Sequence, residues 1–243
     1  MEPKAPTARA LARETVHASI LAAARARLTR EGPAQLSLRA VARDVGLVSS
    51  AVYRYFPSRD DLLTALLVLD YDELGAAVEA AEGAVERDDH AGRWVATCRA
   101  IRSWAITHPG DFALLYGSPV PGYAAPADTI APASRTTHVL LLVVADAWTA
   151  GRRGSRPAPT AAPGDLTSSI GDAAAYVRDR GFADDLPDEL LLRILMAWTT
   201  VFGVLSFELF GHTVGSVRDA DAYFDQVVLR LADDLGLLAG TGA

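Results

Sequence analysis

The sequence contains few of the residues that build disulfide frameworks, metal centres or catalytic sites. Cys98 is the single cysteine among 243 residues, which excludes an intramolecular disulfide and any CxxC metal or redox motif. The five histidines are scattered, and the sequence contains no HExxH, GxSxG or glycine-rich phosphate motif. We therefore expect a protein that is not an enzyme and has no catalytic residue, metal or cofactor. A lone cysteine also fits the reducing cytoplasm.

Long apolar runs and strand patterns are also missing. VLLLVVA at residues 139–145 is among the longest apolar runs and is far shorter than the roughly 20 residues of a membrane helix. The first 20 residues contain no uninterrupted apolar stretch of the signal-peptide type. Alternation of apolar and polar residues is absent, and β-branched residues rarely cluster. The sequence predicts a soluble, all-α protein with no membrane partner.

Positive charge is concentrated at the start of the chain. Residues 1–59 hold ten basic residues against four acidic ones, a net charge of +6. The remaining residues hold 13 basic against 26 acidic ones, a net charge of −13. A basic head on an acidic body predicts that only the head meets a polyanion, although random scatter of charge is the alternative.

Helical spacing dominates the head. The apolar stripe of a first helix recurs every fourth residue, at Val16, Ile20, Ala24 and Leu28. Gly32 ends this helix, Ser37 is expected to cap a short second helix, LRAVARDV, and Gly46 turns the chain into a third through VYRYF. Two short helices joined by a turn, with another helix behind them, form a helix-turn-helix unit.

A long fourth helix leads out of the head. Pro57 stops the third helix, and Ser58 with Asp61 forms a capping box for a helix that continues to about Glu82. We therefore place a first domain at 1–59 and a second domain at 60–243.

The body is predicted to be helical throughout. Helices are expected at 94–107, 133–150, 166–181, 187–211 and 219–238. Residues 117–132, with four prolines, are expected to be irregular, and 151–165 are expected to form a disordered loop.

The polar residues of the third helix suit contacts with DNA. Val52 and Phe56 are four apart and face the core, so the hydroxyls and the arginine around them point outward, where they suit phosphates and base edges. Arg59 could hold a further phosphate. The alternative is an ordinary helical corner with surface tyrosines. The predicted DNA-binding residues are Ser37, Arg39, Ser49, Ser50, Tyr53, Arg54, Tyr55 and Arg59.

LSLRAVARDVGLVSSAVYRYFPSRDDLL at residues 36–63 closely resembles the DNA-binding segment of TetR-family (tetracycline-repressor-type) transcriptional regulators. The resemblance spans about residues 9–70 and rests on the helix opening at Ser37, on Ala42, Gly46, Tyr53 and Phe56, and on the Ser-basic-acidic-acidic-Leu run at 58–62. Val48 stands where the family often has Ser or Thr, so the cap of the third helix is expected to shift to Ser49. Tyr55 replaces a frequent His, and Arg59 replaces a frequent Lys. The resemblance implies DNA binding and leaves the operator sequence open.

Two later segments resemble the C-terminal domain of one branch of that family, named for its Trp, His and Gly. They are HPGDFALLYGSP at 108–119 and AWTTVFGVLSFELFG at 197–211. Trp198 and Gly203 match the second motif, but Phe202 stands where the histidine is expected, so no role of that histidine is carried over.

The last two helices predict an interface. Residues 187–211 carry few charges, and a helix that is apolar on all sides has to be buried on all sides. The final helix has an apolar stripe at Phe224, Val227, Val228, Leu231, Leu235 and Leu238. A homodimer through 187–211 and 219–238 follows, as the resemblance also implies; a central helix in a monomeric bundle is the alternative.

An effector site is expected in the body. Bulky aromatic walls with a few polar groups are the usual form of such pockets, although aromatic residues at helical spacing are also ordinary core. The candidate lining residues are Trp104, His108, Phe112, Tyr116, Tyr123, His138, Trp148, Trp198 and Phe202.

The sequence thus predicts a cytoplasmic, ligand-responsive regulator. It would bind a palindromic operator in double-stranded DNA as a dimer, most often as a repressor, and release it when a small apolar or aromatic effector binds. The alternative is a DNA-binding regulator without a small-molecule ligand, which a partner protein controls or which acts as an activator.

Overall fold

Helices form every regular element among residues 7–151, 169–181 and 186–238, which a computed structural model of the chain describes. They are α1 (Ala8–Glu31), α2 (Leu38–Asp44), α3 (Ser49–Val52), α4 (Arg59–Gly83), α5 (His90–Thr107), α6 (Pro109–Tyr116), α7 (Ile130–Thr149), α8 (Gly171–Asp179), α9 (Asp188–Leu209) and α10 (Ala220–Asp234). Short 3-10 turns occupy Pro33–Gln35 and Ala127–Thr129. The all-α prediction is confirmed.

The chain divides into two compact units. The first comprises Met1–Asp72 and Thr107–Pro132, and the second comprises Glu73–Ile106 and Ala133–Ala243. This division differs from the predicted one at 59/60, because α6 and the segment after it pack with the N-terminal helices. The boundary falls inside α4, between Asp72 and Glu73.

The first unit is built around the apolar face of α1. Ile20, Ala24 and Leu28 of the predicted stripe are buried, and Val16 is half-buried. They pack with buried residues of α2, α3 and α4, among them Val41, Val52, Leu62, Leu63 and Leu66. The stripe therefore does what its spacing predicts, which is to orient α1 behind the helix-turn-helix.

A close approach joins α6 to α1. A Cβ on Gly110 would lie 2.4 Å from the backbone nitrogen of Thr29 and 2.7 Å from the carbonyl carbon of Leu28. Only glycine lets the two backbones come so near. Arg25 of α1 adds a partly buried contact, because its Nε donates to Asp111 of α6 at 2.8 Å and its Nη2 lies 3.2 Å from Asp70 of α4.

The helix ends in the head show one predicted cap and two corrections. Ser58 Oγ accepts from the backbone N–H of Asp61 at 3.1 Å, so the start of α4 is capped as predicted. Ser37 precedes α2, but its side chain makes no capping hydrogen bond. The cap of α3 is Val48, which has no polar side chain, rather than Ser49.

Two helices of the body start earlier than predicted, and each has a local cause. α5 begins at His90 because Asp89 accepts from the N–H of Gly92 at 2.8 Å, a side-chain cap that ends the acidic patch before it. α7 begins at Ile130 although Pro132 lies in its first turn, where a missing N–H costs nothing. The predicted loop at 151–165 lies outside the described residues except for Gly151.

The second unit packs α9 and α10 against each other and against α5. The indole N–H of Trp94 donates to the carbonyl of Val228 at 3.1 Å, and Phe224, Val228 and Leu235 of the α10 stripe are buried within the chain. α9 has the length and composition of a membrane-spanning helix, a test that core helices of soluble proteins also pass. Its buried Arg193 donates to Glu189 and to the carbonyl of Asp234, which ties α9 to the end of α10.

Candidate nucleic-acid interface

The candidate interface is formed by α2, a tight turn and α3. Gly46 adopts a positive φ of 68°, and the N–H of Leu47 donates to the carbonyl of Ala42 at 2.9 Å, which closes the C-terminus of α2. α3 is a single turn, Ser49–Val52, followed by turns rather than by the longer helix expected through VYRYF. The helix-turn-helix is thus present, with a shorter third helix than predicted.

The side chains around α3 divide as the sequence predicts. Val52 is fully buried, and Phe56 is 3% exposed. Ser50, Tyr53 and Arg54 are exposed, with 42% of the Tyr53 surface accessible, and Ser49 is half-buried. Hydroxyls and one guanidinium group therefore cover the outer side of this segment.

Five exposed arginines of the head have no ion pair or hydrogen-bond partner among the described residues. They are Arg9, Arg13, Arg39, Arg43 and Arg54. In the second unit, by contrast, arginines commonly bind carboxylates, as Arg99 does with Asp225 and Arg102 with Glu208. Unpaired guanidinium groups concentrated on one part of a molecule fit a phosphate backbone.

Two acidic residues of the head, Glu31 and Asp44, are bound by another arginine. Arg27 donates to both carboxylate oxygens of Asp44, at 2.6 and 2.9 Å, and to Glu31 at 2.8 Å. The hydrogen bond from Arg27 holds the pKa of the Asp44 carboxyl below its usual value. Two carboxylates of the head are therefore bound by an arginine that ties α1 to α2.

Arg59 has a different position from the one expected of a phosphate contact. It is half-buried, and its guanidinium donates to the carbonyls of Leu36, Pro33 and Ala34 at 2.9–3.1 Å. These bonds tie the start of α4 to the turn before α2. The prediction of a free phosphate clamp does not fit this geometry.

Three further predicted residues are placed around the core of the head. Arg39 is exposed on α2, and Ser37 is half-buried before it. Tyr55 is half-buried, with its ring centroid 6.5 Å from that of His17. Tyr55 therefore faces α1 and is further from the outer side of α3 than the pattern suggested.

Sequence reasoning missed Arg9, Arg13 and Arg43. Basic residues four apart on an exposed helix face, as at Arg9 and Arg13, are a signal that was available. What the sequence does not display is the absence of partners, since a carboxylate far along the chain can neutralise any arginine.

The predicted effector residues fall into two groups. In the first unit, Phe112 is fully buried and its ring centroid lies 5.2 Å from that of Tyr116, where burial raises the pKa of the phenol. The Tyr123 hydroxyl lies 2.9 Å from Thr64 Oγ1. His108 lines a surface groove of about 490 Å³ on α1.

The remaining candidates lie in the second unit. The rings of Trp198 and Phe202 are neighbours on α9, with centroids 5.9 Å apart, and Phe202 and Trp104 are buried. Trp148 is half-buried and His138 is exposed. An exposed His138 does not fit the expected role of a polar group inside a pocket.

Comparison with known proteins extends these observations to both ends of the chain. The family model described as bacterial regulatory proteins, tetR family, matches residues 20–66. A second family model, described as tetracyclin repressor-like, C-terminal domain, matches residues 94–231. The HTH-type transcriptional regulator Rv1816 of Mycobacterium tuberculosis (strain ATCC 25618 / H37Rv) is 39% identical over 216 residues, covering 88% of this chain and 89% of that protein.

Solved structures are similar to this chain over most of its length. The crystal structure of the regulatory protein SCO4313 is similar, with a TM-score of 0.69 and 32% identity over 93% of this chain and 98% of that one. The TetR-family regulator PfmR of Thermus thermophilus shares the fold, with a TM-score of 0.55 at 15% identity over 87% and 97% of the two chains. With a helix-turn-helix in its first unit and family matches over both parts, the chain belongs to the TetR family of transcriptional regulators.

Proposed function

We propose that this regulator is a repressor that binds a palindromic operator as a homodimer in the cytoplasm and leaves it when a small, largely apolar effector binds. The observation that carries the proposal is the set of unpaired arginines on the head, Arg9, Arg13, Arg39, Arg43 and Arg54. Exposed positive charge that no ion pair engages is the footprint of a protein that binds a polyanion.

Dimerisation is supported by an exposed apolar face in the second unit. Met196 and Phe207 of α9 are 53% and 57% exposed, and Tyr223 of α10 is 43% exposed. A groove of about 280 Å³ on this face is lined by Thr200, Gly203, Val204, Phe207, Thr213 and Tyr223. Exposed apolar surface of this kind marks a protein interface. The contacts would come from these residues, because most of the predicted α10 stripe is already packed within the chain.

An effector site in the second unit is supported by its aromatic side chains and by one enclosed hydroxyl. Thr97 on α5 is fully buried, and its Oγ1 has no hydrogen-bond partner among the described residues. Buried polar atoms nearly always have partners, and a few such groups orient ligands in apolar pockets. Trp104, on the same helix, supplies apolar surface in that unit.

Release from DNA is the expected mode of control. α4 begins at the head and continues into the second unit, so it contributes a long stretch to each unit. A shift in α4 on effector binding would change the position of the head. Such coupling is typically about 1–3 kcal/mol and is reciprocal, so operator DNA weakens effector binding by the same factor.

The operator is tested by footprinting the DNA upstream of the protein's own gene. Wild-type protein is expected to protect a palindrome with half-sites about 34–36 Å apart. Tyr53→Ala should weaken this binding without loss of fold, while Tyr53→Phe separates the hydroxyl from the ring. Unchanged operator affinity in Tyr53→Ala would contradict the assignment of α3 as the recognition element.

The effector is tested by adding small apolar and aromatic molecules to the operator complex. Compounds that release the DNA are then compared on wild type and on Thr97→Val, an isosteric change. If Thr97 contacts the effector, the dose response shifts, whereas the unfolding free energy stays the same or rises by about 1 kcal/mol because a buried unpartnered hydroxyl is removed. An unchanged dose response places the effector away from Thr97.

A further inference from the structure

An exposed valine stands at the start of the recognition segment. Val48 immediately precedes α3, and 71% of its surface is accessible. Among the large apolar side chains of the described residues, only Val214 in the second unit is more exposed. The exposed side chains that follow Val48 are those of Ser50, Tyr53 and Arg54. A single apolar group therefore lies at the edge of a surface that otherwise carries hydroxyls and a guanidinium.

The backbone fixes the outward direction of this side chain. Gly46 turns the chain at a positive φ, and Val48 is extended, with φ −68° and ψ 143°. Leu47 packs against the core of the head, and successive side chains of an extended segment point to opposite sides. The Val48 carbonyl accepts from the N–H of Ala51 at 2.9 Å, which ties Val48 to the first turn of α3. Val48 consequently points away from the core and keeps a fixed place relative to α3.

The place of Val48 on the helix-turn-helix limits what its side chain can contact. In such a unit the N-terminal residues of the second helix contact base edges in the major groove. A valine side chain has no hydrogen-bond donor or acceptor, so it can bind neither a phosphate oxygen nor a polar base edge. Of the groups that bases display in the major groove, only the C5 methyl of thymine is apolar.

We propose that Val48 is a specificity-determining residue, whose methyl groups pack against the C5 methyl of one thymine in each half-site of the operator. The inference rests on the proposed function and deepens it, because it names a base that the operator has to contain. The hydroxyls of Ser49 and Ser50 suit several base edges, so the methyl contact adds a discrimination that they lack.

The test removes methyl groups from each partner in turn. Wild-type protein selects its operator from a pool of random duplexes, and each thymine of a half-site is then replaced by deoxyuridine, which lacks only the C5 methyl. Wild type is compared with Val48→Ala. Val214→Ala is the matched control, because it shortens an exposed valine of the second unit. Fluorescence anisotropy measures affinity for the labelled duplexes, and circular dichroism verifies the fold of each variant.

Deoxyuridine at one thymine position should weaken wild-type binding about fourfold in one half-site and about 15-fold in both, as burial of one methyl-sized group implies. Val48→Ala should bind the thymine operator more weakly and lose most of this sensitivity, because the two changes remove the same contact. The slope of log K against log salt should be the same in all three proteins, since none of them differs in charge. Val214→Ala should match wild type on every duplex.

One result would overturn the inference and leave the proposed function intact. It is a selected operator in which no thymine methyl matters more to wild type than to Val48→Ala. Wild-type protein that selects no sequence from the pool contradicts the proposed function instead, and the inference fails with it.

Discussion

At the scale of single residues, an arginine's partners decide its role more than its place in a motif does. Arg54 and Arg59 are five residues apart, and both were predicted to contact DNA. Arg54 is exposed and unpaired, whereas Arg59 donates to three backbone carbonyls at residues 33–36. No local pattern announces those carbonyls, because they lie more than 20 positions away.

Arg59→Ala should therefore behave as a stability variant. Removing the guanidinium takes a donor from the carbonyls of Pro33, Ala34 and Leu36, of which Pro33 keeps the N–H of Leu36 at 3.3 Å. The loss should lower the unfolding free energy by about 1–3 kcal/mol. Urea unfolding measures this loss, and Arg54→Ala is the control that should unfold like wild type. A stable Arg59→Ala protein with a salt slope reduced by about one would restore the phosphate-contact assignment.

Cys98 is expected to make the folded protein less stable at alkaline pH. Burial raises the pKa of its thiol above the ordinary value of 9.0, so the folded protein keeps a proton that the unfolded chain loses. The contribution of the protonated thiol to the free energy of unfolding is fully present below pH 9. It decreases as pH rises further, by up to about 1.4 kcal/mol per pH unit. Urea unfolding between pH 8 and 10.5 should show a smaller loss for Cys98→Ala than for wild type.

Two tyrosines also affect stability at alkaline pH, so wild type and Cys98→Ala are compared by the slope of the unfolding free energy against pH and not by its absolute value. Burial also raises the pKa of Tyr71 and Tyr116, so Cys98→Ala retains part of the alkaline loss. Truncating Cys98 lowers stability at every pH by creating a cavity, and only the pH dependence reports the thiol. Identical slopes in the two proteins would show that the thiol is not the titrating group.

At the scale of helices, periodicity predicted which faces are buried, and it failed where distant contacts decide. The stripe of α1 and the inward positions of Val52 and Phe56 follow from spacing alone. The division of the effector candidates between two units could not be predicted, because it depends on α6 packing with α1, and a contact between segments so far apart along the chain leaves no periodic signal.

Gly110→Ala should separate α6 from α1. The added methyl would meet backbone atoms of Leu28 and Thr29 at 2.4–2.7 Å, and backbone cannot move aside as a side chain can. We expect a loss of about 1–3 kcal/mol in unfolding free energy, the usual cost of overpacking. Gly83→Ala is the matched control, because a Cβ there meets nothing within 4 Å and alanine favours the helix. Equal stability of the two variants would show that the α1–α6 contact yields easily.

At the scale of the whole molecule, the exposed face of α9 predicts how the protein assembles. Met196→Glu puts a charge on that face, and we expect monomers in analytical ultracentrifugation because a buried unpaired carboxylate opposes association. Operator affinity should fall at least about 100-fold, since two half-sites are no longer bound by one linked molecule. Ile106→Glu, at a residue 44% exposed on α5, is the control that should remain dimeric.

Either of two results would contradict this assignment. Wild-type protein that sediments as a monomer at micromolar concentration excludes the dimer itself. A dimeric Met196→Glu together with a monomeric Ile106→Glu would move the interface from α9 to α5.

Because the thiol of Cys98 is buried, we expect the native chain not to react with maleimide labels. A cysteine introduced at Ser19, which is exposed on α1 and is not a predicted DNA contact, would then be the one reactive thiol on each head, with no background site to remove. In a dimer, a spin label at this position yields a single head-to-head distance. Pulsed electron paramagnetic resonance could follow that distance as operator or a candidate effector is added, and so test in solution whether the heads move as proposed.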